Sequence, residues 1–173
     1  MKPAESDLTI RPASTADIPQ MKAIFAQARQ FMIDRGNPTQ WVEGYPHDEL
    51  ILSDIAHRDC FVCEVNGHIV ATFVLRAGDD PTYAVIREGA WLNDAPYATI
   101  HRIASSGEVK GILHQVLLFA LQQYDTLRID THRNNTPMRH AIEREGFIYC
   151  GIINCWNGDE RMAYQYDKEH LSQ

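Results

Sequence analysis

Residues 99–121 constrain this chain more than any other stretch. Residues 99–105, Thr-Ile-His-Arg-Ile-Ala-Ser, are rich in β-branched side chains and alternate with period two, which predicts a strand. Ser106-Gly107-Glu108-Val109-Lys110-Gly111 follows as a small, glycine-bearing loop. Beyond it, Ile112, Val116 and Phe119 recur at helical spacing, as do Leu113, Leu117 and Leu121. A strand that turns through glycines into a helix leaves several backbone N–H groups without intrahelical acceptors. The helix dipole adds about half a positive charge at that end. Such a loop suits an anion, most often phosphate. The same glycines also suit an ordinary turn, and one loop alone does not separate the two readings.

The rest of the chain reads as strands and helices around that unit. Residues 9–12 predict a first strand, and Ser14 with Asp17 a helix cap. Ile18, Met21, Phe25, Ala28 and Met32 mark the helix, stopped by Gly36, and Leu50, Ile51 and Ile55 a second, shorter one. Asn66-Gly67 is a strong hairpin signal between strands over 61–65 and 68–75. Residues 78–96 are irregular, with Asp80-Pro81 able to open a short helix. Connections of that length are often functional, so this one could wall an acceptor site, or its Tyr83, Trp91 and Tyr97 could simply pack it down. Residues 126–131 predict a strand, and Asn134-Asn135-Thr136-Pro137 caps a helix whose apolar face is Met138, Ala141 and Ile142. Two strands about Asn157-Gly158 close the order. The strand–helix–strand over 99–131 predicts a right-handed parallel crossover, and the hairpins around it make the sheet mixed.

The 173 residues suit a single domain, 1–173, with a substantial core. Sixteen basic against 23 acidic residues leave a net charge of −7, which argues against nucleic acid as a partner. No apolar run approaches the roughly 20 residues that span a bilayer, and the first seven residues carry no signal-peptide core. A cytoplasmic protein is the expectation. Cys60 and Cys63 lie three apart on a predicted strand and so face opposite ways, while Cys150 and Cys155, also in strand-like sequence, have no histidine at ligand spacing. Free structural thiols and no metal are expected.

With this element order, the chain resembles the GNAT superfamily of acetyl-CoA-dependent N-acetyltransferases. Two patterns carry the resemblance. Residues 102–113 sit where the family has Arg/Gln-x-x-Gly-x-Gly/Ala, whose amides hold the CoA pyrophosphate. Asn135-x-x-Met138 followed by Glu143-Arg144-Glu145-Gly146-Phe147 sits where the family has Asn-x-x-Ala and Lys-x-Gly-Phe. The sequence departs at Glu108, where Arg or Gln is usual, at Leu113, where a small residue is usual, and at Ile142, where many members carry the tyrosine that protonates the leaving thiolate.

The resemblance implies an α/β (α+β) fold, with a mixed central sheet of about seven strands flanked by about four helices. It implies acetyl transfer from acetyl-CoA, by direct attack, to a primary amine of a small molecule or peptide. The alternative is a non-catalytic acyl-CoA-binding or regulatory module, and homodimerisation stays open. Ile103, Ala104 and Ser105 would meet the pantetheine arm. Val109, Lys110, Gly111, Ile112 and Leu113 would meet the pyrophosphate, and Asn135 completes the expected cofactor-binding set. His101 is the first candidate for the base, because histidine titrates near working pH; a histidine hydrogen-bonded within the sheet is the competing reading. Arg102 would face the other way, with an acid such as Asp130 as its partner. Asp130 and His132 could flank the acceptor or cap the next turn, and Tyr149 or Cys150 stands nearest the missing tyrosine.

Overall fold

A computed structural model describes residues 7–168. The opening residues, in which no leader was expected, lie outside that range apart from Asp7. Seven strands and four helices follow in the order β1 (Leu8–Pro12), α1 (Ile18–Asp34), α2 (Asp48–Ala56), β2 (Cys60–Val65), β3 (His68–Ala77), β4 (Ala98–Ser105), α3 (Ile112–Leu121), β5 (Thr126–Thr131), α4 (Thr136–Arg144), β6 (Ile148–Asn154) and β7 (Glu160–Asp167). The strands form one mixed sheet in the order β1-β2-β3-β4-β5-β7-β6. The chain groups into two compact units, one of residues up to 75 with 101–112, the other of 76–100 with 113 onward.

In the first unit, β1, β2 and β3 pair antiparallel. Asn66 and Gly67 turn the β2–β3 hairpin at φ 52° and 78°, the left-handed pair that matches strand twist. The Ser14 amide donates to Asp17 Oδ2 at 2.8 Å, and Arg11 holds both Asp17 oxygens at 2.8 and 2.9 Å. That pairing keeps the Asp17 carboxyl well below its ordinary value, at about 2. The apolar face of α1, with Met21, Ile24, Phe25 and Met32, packs with Trp41, Ile51, Val62 and Ala104 in one core.

In the second unit, β4 pairs with β5 in parallel, Ala98 with Leu127 and Thr99 with Arg128. The last strand, β7, lies between β5 and β6 and is antiparallel to both. The segment between β3 and β4 is packed down rather than loose. A single bridge joins Arg87 to Ile152, and Tyr83, Tyr97, Ile153 and Ala163 form a core with Trp91 against it. The Arg128 guanidinium sits 4.0 Å from the ring centres of both Trp91 and Tyr97 and donates to the Asn93 carbonyl at 3.0 Å. The packing role of these aromatics is therefore the one observed.

All four cysteines are free thiols, and burial raises Cys60 to about 11 and Cys63 to about 12. Cys155 is a correction: it stands just past β6, in the turn, where its thiol donates to Asn157 Oδ1 at 2.8 Å. Among the described residues no three His, Cys, Asp or Glu side chains converge on a metal-sized site, and no helix is long and apolar enough to cross a membrane.

Candidate functional site

The second half of β4 and its exit loop lie in the first unit. His101, Arg102 and Ile103 are all half-buried, so the alternation expected of a strand fails at this point. The reason is a kink: Arg102 has φ 47°, in the left-handed region. Its side chain does not reach Asp130. It pairs with Asp54 on α2, Nε to Oδ2 at 2.9 Å and Nη2 to Oδ1 at 2.8 Å, and the two side chains are 11 % and 3 % exposed. Burial works against the guanidinium charge, but Tyr45 and Asp54 outweigh it and hold Arg102 above its ordinary value. Asp54 was invisible as a partner in the sequence, because nothing in a short amphipathic helix marks which of its acids turns inward.

Beyond β4, the Ser106 amide donates to the Val70 carbonyl at 2.9 Å. The Gly107 and Glu108 amides are closed locally by the Ser105 and Ser106 hydroxyls, at 3.1 and 3.4 Å. No such contact closes Val109, Lys110 or Gly111 among the described residues, and the first amides of α3 have no intrahelical acceptor. Gly107 and Gly111 stand at φ 83° and 75°, and the loop turns through these left-handed positions. Val109, Ile112 and Leu113 bury their side chains and so can offer a ligand only backbone, while Lys110 is exposed. The departures from the family pattern are accommodated. Glu108 turns its carboxylate to His68 Nε2 at 3.3 Å, and Leu113, 7 % exposed, packs inward. A loop of open amides with an exposed lysine, whose own acid Glu108 is turned to His68, suits a pyrophosphate.

The second unit carries the other candidates. Asp130 on β5 accepts from the Tyr83 hydroxyl at 2.6 Å. Tyr83 is fully buried, and that burial, with the Asp130 charge beside it, raises its hydroxyl well above the ordinary tyrosine value. Tyr149 pairs in register with Tyr164, which in turn opposes Ile129, whereas Asp130 opposes Ala163, itself paired with Gly151. Directly opposed residues share a face. Tyr149 and Asp130 therefore lie on opposite faces of the sheet, and the edge contact of Tyr149 with Tyr164 agrees. Cys150 is buried, which raises its thiol. His132 takes the turn-capping role: its Nδ1 accepts from the Asn134 amide at 3.0 Å. Burial, then Arg161 and Arg133, lower it below the ordinary histidine value. Asn135 caps α4, accepting the Met138 amide at 3.3 Å, and Ile142 is completely buried on that helix.

No protein-family model and no curated protein matches the chain. Solved structures do. An acetyltransferase of the GNAT family from Streptococcus agalactiae 2603 is 32 % identical over 93 % of this chain and 95 % of its own, with TM-score 0.82. A GNAT-family acetyltransferase from Listeria monocytogenes 4b F2365 shares 20 % identity over 92 % and 94 % of the two chains at TM-score 0.66, a likeness of fold. With a sheet of this order, an amide-lined loop between β4 and α3, and that degree of identity over nearly the whole length, the chain belongs to the GNAT family of acetyltransferases.

Proposed function

We propose that this acetyltransferase moves the acetyl group of acetyl-CoA to a primary amine of a small molecule or peptide, by direct attack and without a covalent enzyme intermediate. One observation carries the reading: among the described residues the amides of Val109, Lys110 and Gly111 meet no acceptor, they lead straight into α3, and the nearby Glu108 carboxylate is engaged by His68. Acetyl-CoA, when bound, supplies an acyl thioester. The amides over 109–113 and Lys110 bind its pyrophosphate, and the backbone of Ile103 and Ser105 orients its arm. The Ile103 amide donates to the carbonyl oxygen that gains charge as the amine attacks. His101 accepts the proton of the amine, and Asp130, the carboxylate candidate of the second unit, is held by the Tyr83 hydroxyl. Reduced thiols support placing the reaction in the cytoplasm.

Isothermal titration with acetyl-CoA and with CoA, followed by a thiol-release assay over a panel of amines, tests this. Tight binding and amine-dependent thiol release are the expected result; no binding overturns it. One observation favours a second reading. Ile142 fills the core where many members carry a catalytic tyrosine, which suits a protein that binds acyl-CoA without turning it over. Binding with no thiol release from any amine would select that reading.

A further inference from the structure

Among the described residues, four that are not glycine have positive φ: Arg58, Asn66, Glu88 and Arg102. Three of them lie in turns or bends, and Arg102 lies inside a strand. The left-handed region is unfavourable for a residue that carries a Cβ, and it persists only where the surroundings hold it. The Arg102 side chain is anchored by two hydrogen bonds to Asp54, at 2.9 and 2.8 Å, with Tyr45 also acting on its guanidinium beside α2. The rotation at Arg102 carries the following peptide plane with it. The Ile103 N–H, part of that plane, leaves the direction that a regular ladder would give it.

We propose that Asp54 and Arg102 are positioning residues, whose buried ion pair holds the left-handed kink of β4 and thereby aims the Ile103 amide at the acyl carbonyl of the donor. This rests on the functional reading above. It assigns α2 a part in acyl transfer although Asp54 touches no reacting atom.

The test separates the kink from the charges. Asp54→Leu with Arg102→Met removes both charges together, so that neither is left buried alone, and keeps a Cβ at the kink. Asp54→Leu with Arg102→Gly removes the same charges but leaves a residue that takes positive φ freely. Two readouts are compared with the parent, under conditions where circular dichroism shows each protein folded. One is kcat and KM for acetyl-CoA. The other is the ¹⁵N–¹H shift of Ile103 on adding acetyl-CoA rather than CoA. The methionine variant should lose on the order of 10²-fold in kcat with KM little changed, and its Ile103 should no longer distinguish the two ligands. The glycine variant should recover most of both. Equal losses in the two variants, or no loss in either, overturn the positioning role. Should a double variant fail to fold, Asp54→Asn, which keeps the shape and discharges the acid, should show a weaker form of the same kcat loss; an unchanged kcat and Ile103 response there also overturns it. A parent that binds neither ligand fails the functional reading itself. Binding with identical Ile103 responses throughout removes only the role of the pair.

Discussion

Gly111 is the residue at which the loop becomes a helix, and its φ of 75° is one that a β-branched side chain resists strongly. Gly111→Val should therefore tilt the entry to α3, crowd the amides of 109–113 and weaken CoA binding. Titration calorimetry beside the parent checks it, and equal affinity would move the pyrophosphate elsewhere. His101 precedes the kinked Arg102 and is half-buried. If it takes the amine proton, kcat/KM of the parent rises with pH as the base loses its own proton. His101→Gln should then lose that limb and on the order of 10²–10⁴ in rate, with CoA affinity unchanged. An intact limb in the variant would leave the proton to solvent or to Asp130, whose carboxylate already accepts from Tyr83.

At the scale of elements, local signals carried most of the fold. Asn66-Gly67 turned where it had to, Asn135 and Pro137 opened α4, and the two apolar rows of α3 fell on one helix. The exit loop of β4 was legible for the same reason, since glycines at a strand-to-helix turn have few alternatives. The kink was not. An arginine in the left-handed region has no local signature, and its partner lies 48 residues away on a helix. Tyr149 stands nearest the missing tyrosine along the chain, and strand register puts it on the face opposite Asp130. That placement depends on the irregularity between Tyr149 and Gly151, which no alternation pattern predicts. Two substitutions probe how elements are joined. Asp54→Ala strands a buried guanidinium and should lower unfolding free energy by about 3–5 kcal/mol. Ile142→Ala opens a cavity under α4 and should cost about 2–5 kcal/mol, measured by urea unfolding, without moving the pH limb of activity. A shifted limb there would give Ile142 a place in the chemistry.

For the whole molecule, acid should act in two separated steps, because two groups with perturbed proton affinity sit in different parts of the chain. His132 is lowered below 6.5 by burial, Arg161 and Arg133, with Asp159 opposing them. The folded protein thus binds its proton less readily than the unfolded chain does, and stability falls as pH drops from about 6.5 toward the lower folded value. Asp17 is held at about 2, against 3.8 in the unfolded chain, by hydrogen bonds from Arg11. Its contribution is complete above about 4 and is lost as pH falls through the folded value near 2. Unfolding free energies measured from pH 7.5 to pH 2 should show both losses. His132→Gln should flatten the upper one and leave the lower, and Asp17→Asn should do the reverse while starting from a less stable protein, since its cap and its pairing with Arg11 are weakened at every pH. A single step that both substitutions change alike would mean that neither group acts alone and that general repulsion among the charges sets the acid limit.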